Sequence, residues 1–245
     1  MGEESRALVP GSKVPPVGGL SGRALAVIVL LVLDALITGG LVVARLGEID
    51  LLQRIGHAPQ SVTVAEATAS DARIDALAKA HLAVFIVTAI AFLVWLYAAS
   101  KRAHNLGAFD MRFSPAAGVG WFFVPIANLF QPFRAISEIW KVSDPSIDRA
   151  SPAAWQDAPV SALLPIWWVG YIGTNIVSRL IPSSLSGSEG LQQLTTISEL
   201  AAGVSAGIAI SAVLACIVIV FIENRLRSSE AAGPFVPAGV ATVPG

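Results

Sequence analysis

Charge is what this chain has least of. Only 13% of its 245 residues are Asp, Glu, Lys or Arg, about half the usual share in soluble globular chains. A water-soluble domain of this size needs more charge to cover its surface, so that class is excluded. There is no excess of either sign: 16 Lys+Arg face 17 Asp+Glu, a net charge of -1. No overall basic field therefore points to nucleic acid. Cysteine is nearly absent. Cys216 stands alone, which rules out an intrachain disulfide and a cysteine metal centre. What remains is apolar: 54% of residues are hydrophobic, and mean hydropathy is +0.69. The composition is that of an integral membrane protein.

Four apolar runs reach the length of a helix that crosses a ~30 Å hydrocarbon core. They cover residues 24–44, 80–100, 162–181 and 200–222, and lipid obliges each to be helical. The first is too long for the core of a cleaved signal peptide. Residues 1–22 contain five glycines and three prolines without periodicity, and residues 228–245 are similar, so both ends read as disordered tails. Residues 46–79 read as an amphipathic helical hairpin projecting from the bilayer.

A fifth run, Ala116–Phe130, is about 15 residues, or ~22 Å as a helix, and is too short to cross. Pro125 interrupts it, Gly118 and Gly120 weaken it, and Asn128, Gln131 and Pro132 close it. The following "FRAISEIWKV" is amphipathic, with Ile136, Ile139 and Trp140 on one face, and suits a helix in the interface plane. Residues 116–142 are thus expected to be re-entrant or interfacial. Charge placement agrees. Arg6, Lys13, Arg23, Lys101, Arg102, Arg112, Arg134, Lys141, Arg149, Arg225 and Arg227 flank one side, whereas residues 182–199 hold only Glu189 and Glu199. The positive-inside rule makes the basic side cytoplasmic. Both termini then lie in the cytoplasm, and the fifth run does not cross. All six tryptophans fall toward that side.

The order of residues through this region has a distinctive pattern. Trp95 and Asn105 precede "RFSP" at Arg112–Pro115 and "GWFFVPIANL" at Gly120–Leu129, which carries Trp121, Pro125 and Asn128. Pro132 and "EIWKVSDP" at Glu138–Pro145, with Trp140, follow. Trp167 and Trp168 open the next span. This succession closely resembles the bacterial membrane family catalogued as domain of unknown function 4328, over roughly residues 24–225. The resemblance implies a small multi-pass membrane protein and carries no catalytic residue with it. Phe133 stands where the family often has tyrosine, so no hydroxyl role is assigned there.

Few residues carry candidate chemistry. Asp34 lies ten residues into the first span, where an ionisable group is a functional hypothesis by default. It is either a neutral acid hydrogen-bonding neighbouring helices, with Thr88, Thr174 or Ser211 as acceptors, or a proton- or ligand-binding group. No lysine or arginine is expected at its depth. Asn128 is the second candidate, as an amide donor to backbone freed by Pro125. His57, His81 and His104 read as solvated or interfacial. Ser100 and His104 share a helical face, but no oxyanion element accompanies them. No metal, cofactor or catalytic set is expected. Gly203, Gly207, Ser211 and Ala215 form a small-residue ridge on the last span, suited to close packing with another helix or another copy.

The expected fold is therefore all-α: four transmembrane helices in the cell membrane, with a short Trp/Pro segment and an amphipathic helix between the second and third. The leading functional reading is a non-enzymatic scaffold, sensor or partner subunit whose partners are lipid, a membrane protein or further copies. The alternative is a small transporter or ion-conducting oligomer using Asp34 and the broken segment 116–132.

Overall fold

The computed structural model describes residues 20–149, 151–184 and 190–232, and among these every regular element is helical. Seven α-helices follow in order: α1 (Gly22–His57), α2 (Val64–Asn105), α3 (Pro115–Gly120), α4 (Gln131–Val142), α5 (Pro152–Gln156), α6 (Leu163–Ser184) and α7 (Leu191–Ala232). Most of the two expected tails lies outside the described residues. The last helix nevertheless runs to Ala232, past the expected start of the C-terminal tail at residue 228.

Local chemistry accounts for the helix starts. Ser21 caps α1 by accepting from the Ala24 N–H at 3.2 Å. Thr63 caps α2 by accepting from the Glu66 N–H, also at 3.2 Å, with Glu66 in the first turn. Ser114 does the same for α3, whose first residue, Pro115, supplies a fixed φ and lacks only an N–H that would have gone unused.

Three helices, α1, α2 and α7, are long and apolar enough to cross a membrane. They have 36, 42 and 42 residues, or about 54–63 Å each. The remaining expected span, the third in chain order, corresponds to α6, of 22 residues. It is not among those three, since Asn175, Ser178 and Arg179 dilute its apolar sequence.

The expected hairpin is present. Helix α1 runs unbroken to His57, a 3₁₀ turn covers Pro59–Ser61, and α2 returns antiparallel. Arg54 bridges the two arms by pairing with Glu66. Helix α1 also packs lengthwise on α7, and α7 on α6. Polar ties fix the register of α1 and α7 at both ends. Ser21 donates to Glu223 at 3.1 Å, and Ser198 donates to Glu48 at 2.7 Å. These ties stand about 40 Å apart along α1 and about 38 Å along α7, and the residues between them are mostly apolar, with Asp34 the charge nearest the middle of α1's stretch.

Directly after α2 the chain does not form another long helix. Residues 116–130 break into α3 and two 3₁₀ turns, Trp121–Phe123 and Ala127–Leu129. The amphipathic α4 follows, but its apolar face does not look outward as an interfacial helix would. Ile136, Ile139 and Trp140 are 1%, 2% and 6% exposed, packed in the core with Trp95, Leu164 and Ile219.

Candidate functional site at the Glu223 end of the bundle

One end of the bundle concentrates its polar burial on Glu223. This carboxylate is 1% exposed. It accepts from the Trp95 indole at 2.9 Å, the Arg102 guanidinium at 2.9 Å and the Ser21 hydroxyl at 3.1 Å. Arg102 continues outward to a two-bond pair with Glu230 at 2.7 and 2.9 Å. A carboxylate so buried persists only when donors surround it, and here they come from the start of α1 and from α2. The sequence reading singled out Trp95 and passed over Glu223. Its signal was helical spacing: Ile219 and Leu226, four before and three after, are also buried.

A second set of ties holds α4 and the loop after it to α7. Arg225 lies 4.6 Å above the Trp140 ring and bonds Asp144 at 2.9 Å. Ser229 donates to the Ser143 carbonyl at 2.8 Å. Arg149 is 4% exposed and donates to the carbonyls of Val142 and Asp144, each at 2.9 Å. Burial pushes the Asp144 carboxyl upward, but hydrogen bonds from Ser146 and the charge of Arg225 outweigh it and leave the group below its ordinary range.

Aromatic rings fill the space between these ties. Trp167 and Trp168 meet edge to face at 5.7 Å, and Phe92, Phe122, Phe133 and Tyr171 surround them within 6.4 Å. The Trp168 indole donates to the Leu129 carbonyl at 2.8 Å, which pins the broken segment to α6. Trp155, outside the motif, donates to the Phe109 carbonyl at 2.9 Å.

The broken segment itself satisfies most of its backbone locally. The Trp121 carbonyl, four residues before Pro125, accepts from Val124, the Pro125 carbonyl accepts from Ala127, and the Val124 carbonyl accepts from Asn128. These backbone donors take the role expected of the Asn128 amide. The Asn128 Oδ1, Gln131 Oε1 and Trp121 Nε1 atoms are buried with no hydrogen-bond partner among the described residues. Ile126 adopts φ +68°, which a β-branched residue adopts only under constraint. Its side chain is 78% exposed, as are Phe123 at 72% and Phe130 at 59%. Pro132 is buried at the start of α4, and Asn105 is exposed at the end of α2.

Two motif stretches meet beside this layer. The Phe113 N–H donates to Glu138 at 3.2 Å, joining "RFSP" to "EIWKVSDP". Arg112 and Glu138 from these stretches, with Asp110, Lys141 and Trp155, line a cleft of about 450 Å³. Burial raises the Glu138 carboxyl from its ordinary 4.5, opposed by the backbone donors of Phe113 and Arg112.

Asp34 lies elsewhere. It is 4% exposed and bonds His81 Nδ1 through Oδ1 at 2.8 Å. This corrects the expectation that the acid would meet only hydroxyls; His81, expected to be solvated or interfacial, is half-buried and is its partner. Thr38, the nearby hydroxyl that is bonded, donates to the Asp34 backbone carbonyl rather than its carboxyl. Asp34 stands about 20 Å along α1 from Ser21. The small-residue ridge divides. A side chain at Gly207 would meet Thr174 of α6 and a Cβ at Gly170 of α6 would meet Ser211, whereas a Cβ at Gly203 would meet nothing within 4 Å among the described residues. Ala215 is buried in the core.

The family described as Domain of unknown function (DUF4328) matches residues 58–224, well over half of the chain, and the protein belongs to it. No curated protein and no solved structure matches.

Proposed function

We propose that this member of the family is a four-span protein of the cell membrane with both termini cytoplasmic. It acts without catalysis, as a partner subunit, through the aromatic platform at its Glu223 end. Charge placement supports the orientation. Arg23, Lys101, Arg102, Arg112, Arg134, Lys141, Arg149, Arg225 and Arg227 gather at that end, as cytoplasmic flanks do. The two polar ties of α1 and α7 bracket a band of the right thickness for a bilayer. In this reading α6 is the third span, and residues 116–132 stay on the cytoplasmic side. One membrane domain then reaches from the Ser21 cap of α1 through α7 to Ala232.

The observation that carries the partner role is the exposed ridge of Phe123, Ile126 and Phe130 on a rigid mount. A strained backbone position costs about 1–3 kcal/mol, and an Ile126 side chain in the open gives none of that back within the chain. Contact from outside offsets it, and a ridge of aromatic and branched residues fits an apolar groove on another membrane protein. A photo-crosslinking amino acid at Phe123 or Phe130, activated in living cells, is expected to give one discrete protein adduct that Ile126→Asp abolishes. Adducts to lipid alone would sink the partner role.

The Asp34–His81 pair favours a second reading. A buried acid bonded to a half-buried histidine suits proton binding, and proton transport would follow if the pair had access from both sides. Proton flux in proteoliposomes, lost in Asp34→Asn, would establish it and displace the first.

A further inference from the structure

A groove of about 590 Å³ runs along the outside of α2, bounded by α1 and α3. Ile90, Leu93 and Val94 form its apolar wall, and Tyr97, Lys101 and Arg23 form its end. The α2 residues recur at helical spacing, so one stripe of that helix changes from apolar to cationic over about 16 Å. Arg102 also borders the groove, but Glu223 and Glu230 already hold its guanidinium. Arg23 and Lys101 differ. Both are exposed, and among the described residues neither takes part in any of the ion pairs found.

We propose that this groove binds one anionic glycerophospholipid, its phosphate held by Arg23, Lys101 and the Tyr97 hydroxyl and one acyl chain lying along Ile90, Leu93 and Val94. The chemistry follows from the order of the side chains. Two cations and a hydroxyl donate to a phosphodiester, which carries acceptors only. An amphipathic tyrosine, 46% exposed, stands one turn deeper, where the headgroup gives way to the chains. A free phosphate would use the cations and leave the apolar wall bare. A zwitterionic lipid such as phosphatidylcholine would use the wall, but its own ammonium already offsets the phosphate that the cations would hold. Only an anionic lipid occupies both, and basic recesses between cytoplasmic helix ends are where such headgroups bind. The inference rests on the membrane reading above.

The test counts lipids bound to the full-length protein in detergent by native mass spectrometry, during titration with dioleoylphosphatidylglycerol, dioleoylphosphatidylcholine or inorganic phosphate. One phosphatidylglycerol per chain is expected at concentrations where phosphatidylcholine does not bind. In R23Q/K101Q its affinity is expected to fall roughly thirtyfold, from the contribution of two basic side chains at an anionic headgroup. The exposed Arg134 lies outside the groove, so R134Q should bind as the wild type does. Three results would overturn the site: equal binding by R23Q/K101Q, an equal loss in R134Q, or full competition by inorganic phosphate. If the protein partitions into membranes but binds neither lipid, the site fails and the membrane reading stands.

Discussion

The indole N–H of Trp95 donates to Glu223 across 2.9 Å, joining positions 128 residues apart. That bond links α2 to α7, and Ser21 brings α1 to the same carboxylate. Three long helices therefore meet on one buried charge. Removing it would leave the indole without an acceptor and Arg102 with only Glu230. Glu223→Ala is expected to cost about 3 kcal/mol, as loss of one partner of a buried charged pair does. Glu223→Gln, which keeps an acceptor for Trp95, should cost less. Denaturant unfolding in detergent measures both, and an E223A protein as stable as wild type would refute the central role of the carboxylate.

The Asp34–His81 bond gives a prediction of a different kind. If the pair is helix glue, Asp34→Asn keeps an acceptor and leaves stability near wild type. His81→Leu strands the buried acid and should cost about 1–2 kcal/mol, the scale of a hydrogen bond between helices in a membrane. The D34L/H81L double variant should then lose less than the sum of its parts. Additive losses would show that the two side chains do not act as a pair.

Helices α6 and α7 meet where a side chain is missing. A Cβ at Gly207 would fall 2.7 Å from Thr174 Oγ1 and 3.2 Å from its methyl carbon. Gly207→Ala should therefore cost about 1–3 kcal/mol by overpacking. Thr174→Ala in the same chain should restore most of that loss. Failure of the second change to rescue the first would argue against this contact.

Glu138 sets a pH dependence. Its carboxyl is raised from 4.5 chiefly by burial, so the folded chain binds its proton more tightly than the unfolded chain. Stability tied to this group is full below 4.5 and declines as pH rises through the higher folded value. Glu138→Gln, which still accepts from Phe113, should raise Tm at neutral pH and leave it unchanged at pH 4. A Tm gain that is larger at pH 4 would reverse the sign and contradict the assignment.

The features legible in the sequence are those that local chemistry decides. Pro125 and Pro132 broke the fifth run wherever the rest of the chain went, and the spacing of Ile136, Ile139 and Trp140 marked the buried face of α4. What that face packs against was not local, and it proved to be protein rather than the interface. Glu223 stands just beyond the expected last span, and its donors lie on helices far away in the chain. The His81 bond to Asp34 is hidden for the same reason. Whether it stands level with Asp34 depends on the stagger of α1 against α2, and no residue of either helix encodes that alone.

The central claim is that residues 116–132 do not cross the membrane, so that the platform and both its basic flanks share the cytoplasmic side. Single cysteines on a Cys216→Ser background test it, probed with an impermeant thiol reagent on intact and permeabilised cells. Cysteines at the exposed positions Phe109 and Pro145 bracket the segment and are predicted to react only after permeabilisation. Those at Gln60 and Gln192, also exposed, are predicted to react on intact cells. Labelling of the Phe109 and Pro145 positions from opposite sides would contradict the account.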